Sequence, residues 1–232
     1  MSGRLQPSSG DARSKRRPRQ LRSARTEERL LRAAEGLLSR TGTATFSLAA
    51  LAREAGVSVG GLYRRFPGKG AILVAVQIRI YRKLDREYST VERAALRADD
   101  TLAARLDILV AGIAGLLKRH ASAIKAIVEA SWAHPVVGRL GLQELAAHRQ
   151  RFKALLLRHA AEIGHDNPAH ALEFCYACIY ELVASHFGFG RRVPSERRRW
   201  PAFVAELQTL CLAYLTASTR APRRRRSRVH GG

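Results

Sequence analysis

Residues 47–66 read SLAALAREAGVSVGGLYRRF. Ser47 suits the cap of a short helix over Leu48 to Glu54, Gly56 breaks it, and Ser58 suits the cap of another that ends near Phe66. Ala52 and Gly56 stand four apart, as a helix-turn-helix needs. The small Ala52 lets the two helices approach, and Gly56 can take the positive φ of the turn. Leu51, Val57, Leu62 and Phe66 supply the apolar faces, which leaves Ser58, Val59, Gly60, Gly61, Tyr63, Arg64 and Arg65 expected on the open face of the second helix. That face carries hydroxyls, cations and little bulk. Its two glycines cost about 1 kcal/mol each relative to alanine, which suits a helix that must sink into a major groove rather than one that only packs. Tyr63 and Lys69 are placed to reach phosphates.

Outward from this window the period is helical almost everywhere. From Thr26, Leu30, Ala34, Leu37 and Leu38 form one stripe that Gly42 ends, and Glu27 and Glu28 suit its first turn. Pro67 opens a longer helix with Leu73, Val76, Ile80 and Leu84 on one face. After a charged stretch at 92–100 come a helix with Leu102, Leu106, Leu109, Ile113 and Leu116, and a shorter one to Trp132, stopped before Pro135. Gly141–Ile163 follows; Asn167-Pro168 caps Ala169–Phe187, which is apolar nearly all round. Gly188, Gly190 and Pro194 break the chain before a last helix with Phe203, Leu207, Leu210 and Tyr214. The expectation is an all-α chain of about nine helices, with no sheet and no internal repeat: a three-helix helix-turn-helix domain followed by a helical bundle.

The window resembles the TetR family of transcriptional regulators. The matching run is Leu51-Ala52, Ala55-Gly56-Val57-Ser58, Gly60, Leu62-Tyr63, Phe66, Lys69 and Ile72-Leu73, with unbroken spacing. The resemblance implies that Ser47, Gly60, Tyr63 and Lys69 contact DNA, mostly its backbone. It also implies that the later helices form an effector-binding and dimerisation domain, with the last two pairing across a two-fold axis. Three positions depart from the pattern: Gly61 where Thr, Ser or Ala is common, Arg65 in place of a frequent His, and Gly70 where an acid is common. The first two touch the reading surface, so operator sequence is the least transferable inference. The expected organisation is a structureless basic arm at 1–22, the DNA-binding domain at 23–70, the effector and dimerisation domain at 71–218, and a structureless basic tail at 219–232.

Charge agrees with a nucleic-acid partner. The 232 residues carry 41 Lys and Arg against 19 Asp and Glu, a net of +22, and such an excess favours polyanions. Residues 1–25 hold eight of the cations and one acid; 217–232 hold six and none. Such arms either solubilise the chain or lie along phosphates; phosphate contact is favoured for the N-terminal one. Hydrophobic residues make up 46%, enough for a core. No apolar run reaches the roughly 18 residues of a membrane span, and the N-terminus lacks the apolar stretch of a secretory signal. A cytoplasmic, nucleoid-associated protein is expected, without a membrane partner.

Other chemistry finds little support. Cys175 and Cys178 form a CxxC without a second pair or a histidine pair, so they and Cys211 read as core rather than metal or redox residues. GxSxG, HExxH and GxxxxGK[ST] are missing, and Gly68-Lys69-Gly70 lacks the first glycine and the final hydroxyl of the last. No catalytic residue, cofactor or metal is expected. Seven of the eight histidines fall in the later helices and are expected mostly at helix ends or exposed faces. Glu173, Glu181 and His186 interrupt the most apolar helix, as partners of other residues or as effector ligands. Trp132, His148, Phe152, Phe174 and Tyr180 are the candidate effector-binding residues, with plain core the alternative for the aromatic ones.

Together these features point to a regulator that binds double-stranded DNA as a homodimer on a palindromic operator and represses transcription until an unidentified small molecule releases it. A helix reads only a few base pairs, and two placed about 34–36 Å apart read a palindrome. The alternative is a non-specific, nucleoid-type DNA binder driven by the arginine arms.

Overall fold

A computed structural model describes residues 10–189 and 199–218, with side chains from residue 23 onward. These residues form nine α-helices and no strand. The helices are α1 (Gly10–Thr41), α2 (Leu48–Ala55), α3 (Val59–Tyr63), α4 (Lys69–Arg97), α5 (Leu102–Arg119), α6 (Ala121–Ala133), α7 (Pro135–Leu156), α8 (Pro168–Phe187) and α9 (Trp200–Thr216). A 3-10 segment, Leu157–Glu162, continues α7. The chain divides into two compact units, one of residues 1–83 with 122–141, the other of 84–121 with 142–232.

In the first unit, the α1 stripe Leu30, Ala34, Leu37 and Leu38 is buried. Leu51, Ala52 and Ala55 of α2, Leu62 of α3, Phe46, Phe66, and Ile72, Leu73, Val76 and Ile80 of α4 are buried too. Truncating a leucine in such a setting costs about 2–5 kcal/mol. Charge also ties α1 to α4. Arg79 donates from Nη1 to Glu28 at 2.6 Å and from Nε to Glu35 at 2.8 Å, and Lys83 reaches Glu35 at 2.5 Å. Gln77, fully buried, donates to the Val137 carbonyl at 2.8 Å and so joins α4 to the start of α7.

In the second unit α5 packs on α8 and α9. Leu102, Leu106, Leu109, Val110 and Ile113 meet an interior that also holds Leu172, Cys175, Ile179, Val183, Leu207, Cys211 and Leu215. The α5 N-terminus is doubly capped: Thr101 Oγ1 accepts from Ala104 N at 3.2 Å, and Glu162 accepts from Leu102 N at 3.0 Å. Gly112 permits close approach, because a Cβ there would stand 2.3 Å from Cγ1 of Val91.

Several boundaries differ from the sequence reading. Helix α1 begins at Gly10, inside the stretch expected to be a structureless arm; Arg, Lys, Gln and Leu favour helix, and extending an existing helix avoids the cost of nucleation. Helix α4 runs to Arg97 through the charged stretch, since Glu and Arg are good helix formers and Glu92 finds Arg151 at 2.9 Å. Pro135, read as a stop, also opens α7 from its first position, where its missing N–H costs nothing. Helix α3 stops at Tyr63 instead of continuing to Phe66, since Pro67 disfavours helical φ/ψ at the residue before it. Residues 1–9, the tail at 219–232, and Gly190 and Pro194 lie outside the described residues.

Candidate nucleic-acid interface

Two serines and a glycine shape the reading head. Ser47 Oγ accepts from Ala50 N at 3.2 Å and caps α2. Gly56 takes φ 61°, ψ 43°, and its N–H returns to the last turn of α2; only glycine adopts this left-handed region freely. Val57 N then donates to the Ala52 carbonyl at 3.0 Å. Ser58 Oγ accepts from Gly61 N at 3.0 Å and caps α3. Leu62 and Phe66 are buried beneath. Arg40 of α1 pairs with Glu54 of α2 at 2.7 Å, which braces the supporting helices.

The predicted contact residues separate into two groups. Ser47, Ser58, Val59, Gly60, Tyr63 and Arg64 are exposed, Tyr63 to 53%. Gly61, expected on the open face, is buried. A Cβ there would lie 3.1 Å from Ser58 Oγ and 3.5 Å from an Arg64 guanidinium nitrogen, so the cap and the arginine cover it. Arg65 is half-buried and donates from Nη1 to the Gly61 carbonyl at 3.4 Å. Lys69 donates to the Thr43 carbonyl at 3.1 Å and lies 5.6 Å from the centre of the Phe46 ring. The lysine assigned to phosphate thus also bridges the α1–α2 turn and the start of α4. A backbone carbonyl leaves no mark in the residue pattern, so sequence reasoning could not find Thr43. Arg53, exposed in the last turn of α2, is a further cation beside the head that the sequence reading passed over.

The five candidate effector residues fall in both units. Trp132 belongs to the first unit and is 71% exposed; Phe174 is 50% exposed. Trp132 sits in the last turn of α6, and Phe174 stands on the face of α8 away from its buried stripe. Phe152 is fully buried with its ring 5.5 Å from Tyr176, and His148 lies 4.7 Å from the Tyr88 ring. Tyr180 is half-buried. Burial, then the nearby Arg151 charge, pushes the His148 pKa down, and burial pushes the Tyr88 and Tyr180 hydroxyls up. His148 Nε2 is buried without a hydrogen-bond partner among the described residues. Arg151 donates to Glu92, Asp85 and Ser89. This polar cluster sits beside the apolar Phe152–Tyr176 pair.

Other polar residues resolve as partners of one another. Glu173 meets Lys153 at 2.5 Å, the intramolecular pair that was one of its two readings. His159 is buried, its Nδ1 2.9 Å from a carboxylate oxygen of Glu162, which accepts. Of the described histidines in the later helices, only His170 is exposed, while His120 caps the end of α5, His134 lies between α6 and α7, and His186 stands in the last turn of α8. Cys175 and Cys211 are buried and Cys178 half-buried, all as free thiols. The hydrogen bond to Cys211 and burial push the Cys175 thiol up, away from thiolate character. Among the described residues no group of three or more His, Cys, Asp or Glu could hold a metal ion, and no helix is long and apolar enough to cross a membrane.

Residues 30–76 match the model of the family described as bacterial regulatory proteins, tetR family. Comparison with curated proteins gives no match. Among solved structures, the chain is similar to a protein of Mesorhizobium loti assigned to the TetR family of transcriptional regulators, with TM-score 0.68, 18% identity, and 84% of this chain and 96% of that one covered. A transcriptional regulator from Rhodococcus sp. RHA1 aligns with TM-score 0.61 and 19% identity over 81% and 94%. The fatty acid degradation regulator FadR from Bacillus halodurans aligns with TM-score 0.62 and 16% identity over 81% and 94%. At such identities the structural likeness speaks to fold, and the family model speaks to the head. The chain carries, at residues 30–76, the helix-turn-helix domain of the TetR family of bacterial regulatory proteins.

Proposed function

We propose that the protein is a sequence-specific transcriptional regulator that binds a palindromic operator as a homodimer and represses until a small molecule releases it. The observation that carries the reading is α3 itself. Leu62 and Phe66 anchor it from below, while Ser58, Val59, Gly60, Tyr63 and Arg64 stand exposed with nothing bulkier than one tyrosine ring and one guanidinium. A short helix of this profile fits a groove about 12 Å wide. In this reading residues 23–70 bind DNA and 71–218 hold the dimer and effector surfaces, in a cytoplasmic protein without a catalytic role.

Dimerisation is supported by the outer faces of the last two helices. Phe174, Ala177 and Leu182 of α8 and Leu210 and Ala213 of α9 are exposed, a mainly apolar surface that a second copy would cover. An effector would act by preferring the state whose two heads are wrongly spaced, and release follows from its differential affinity for the two states. The Tyr88–His148–Arg151 cluster beside Phe152 and Tyr176 mixes polar anchors with apolar wall, the chemistry of a small-molecule site.

The test is gel retardation of genomic fragments by the full-length protein at about 150 mM salt, where non-specific binding is weak. Retardation of a few fragments that share an inverted repeat supports the reading. Equal retardation of every fragment supports the nucleoid-type alternative that the net charge of +22 suggests, and no retardation rejects both.

A further inference from the structure

Three cations crowd the C-terminal end of the reading head, and they are not equivalent. Lys69 is held by the Thr43 carbonyl at 3.1 Å. Arg65 is folded back along α3, its Nη1 on the Gly61 carbonyl and its Nε buried. Arg64, the C-cap residue of α3, is exposed and has no side-chain hydrogen bond or ion pair among the described residues. One of its terminal nitrogens lies 3.5 Å from where a Cβ at residue 61 would stand. Its head thus lies over Gly61, one turn back along α3, in space that a larger residue there would claim.

We propose that Arg64 is the residue that reads base identity, by bidentate donation to O6 and N7 of a guanine in the major groove, and that Gly61 sets this specificity by leaving room for the guanidinium along the helix. The inference rests on the DNA-binding reading above and deepens it. The other exposed groups of α3 leave few alternatives. Val59 offers methyl groups, Gly60 has no side chain, and Ser58 Oγ already accepts the capping bond from Gly61 N. Tyr63 offers a single hydroxyl. A planar fork of donors is the group whose geometry matches guanine's two acceptors, and a single hydroxyl cannot match both. Arg64 is the fork on this helix with its donors free.

Gly61 turns the assignment into a coupling. A threonine there would bring Cβ to 3.1 Å from Ser58 Oγ and extend branches into the space the Arg64 head occupies. The Cβ itself would stand in ordinary contact with the guanidinium at 3.5 Å, and the branches beyond it would press on the head and shift its preset direction. Gly61→Thr is therefore expected to weaken guanine preference while Arg64 is still present.

The test uses the full-length protein and a randomised duplex library, with bound sequences enriched and read for the wild type, Arg64→Ala, Arg64→Lys, Arg65→Ala and Gly61→Thr. The wild type is expected to enrich a half-site with a fixed guanine. Arg64→Ala should relax that position by about 10- to 100-fold and leave the remaining positions in place. Arg64→Lys should recover affinity but not the guanine preference, and Arg65→Ala should keep the preference. Replacing that guanine by 7-deazaguanine, which lacks the N7 acceptor, should weaken the wild type and leave Arg64→Ala unaffected. Thermal unfolding of each variant checks that the head is still folded. Uniform loss of affinity across all sequences in Arg64→Ala, or an unchanged motif, overturns the assignment alone. A wild-type library with no enriched sequence overturns the regulator reading and this inference with it.

Discussion

The Nε of Arg79 stands 2.8 Å from a carboxylate oxygen of Glu35, and the other oxygen of that carboxylate meets Lys83 at 2.5 Å. Burial works to raise the Glu35 pKa, but the hydrogen bonds and charges of Lys83 and Arg79 outweigh it and hold the carboxyl below its ordinary range. The group therefore stabilises the fold when ionised. Its contribution is present above the carboxyl's unfolded pKa and is lost as pH falls through the depressed folded value. Glu35→Gln is expected to cost about 2 kcal/mol at neutral pH, since Lys83 loses its charged partner and Arg79 keeps only Glu28. Thermal unfolding from pH 7 down to about pH 3 checks it: the gap between wild type and variant should close at the acid end. A gap that persists unchanged would assign the loss to packing.

Lys69 is expected to serve two roles that separate in measurement. Its ammonium holds the Thr43 carbonyl and lies over Phe46, interactions together worth about 1–2 kcal/mol. Lys69→Met should lower the unfolding temperature and weaken DNA binding, with a shallower salt dependence if a phosphate contact is lost. Arg64→Ala, in contrast, should leave the unfolding temperature unchanged. A Lys69→Met protein as stable as the wild type would show that the bridge to Thr43 contributes nothing.

The reading head was legible because its residues act locally. Ser47 and Ser58 cap the helices they precede, and Gly56 takes the positive φ that a tight turn demands. Leu51 and Leu62 are buried at the spacing that places them inward. What escaped depends on where side chains and carbonyls settle in space, which spacing along the chain does not state. Burial of Gly61 arises from where the Ser58 and Arg64 side chains settle, and the hold on Lys69 arises from a carbonyl 26 residues earlier. The exposure of Trp132 and Phe174 was not legible for a similar reason: periodicity states which residues share a helix face, not which face meets a neighbour. The extent of α1 was missed because an arginine-rich run has the composition of a solvated arm and equally high helix propensity.

Gly56 and Gly60 are expected to respond oppositely to the same substitution. Gly56 sits at φ 61° with open space around it, so Gly56→Ala meets no clash but bears the left-handed penalty of about 1–2 kcal/mol. Gly60 also has open space, in a helix with no positive φ, so Gly60→Ala should gain up to about 1 kcal/mol from helix propensity. If Gly60 is there for close approach to DNA, the more stable protein will bind more weakly. Chemical denaturation paired with a binding titration on one fragment measures both quantities. Tighter binding by Gly60→Ala would mean that the glycine has no place at the groove.

Leu210 offers the most direct test of the subunit contact. It is 50% exposed on α9, while Leu207, Cys211 and Leu215 on the same helix face inward and are buried. A charge at 210 therefore leaves the inner core untouched. Were the outer faces of α8 and α9 covered by a second copy, Leu210→Glu would place two carboxylates in or near an apolar contact, once from each subunit, because a two-fold interface repeats every substitution. Desolvating an unpaired charge there costs several kcal/mol, enough to shift a micromolar sample from dimer to monomer. Light scattering after size exclusion should give about twice the chain mass of 25.7 kDa for the wild type and that mass for Leu210→Glu. Helical content by circular dichroism should stay the same. A variant that remains dimeric would place the subunit contact on another surface, and a monomeric wild type would remove the basis for reading a palindrome.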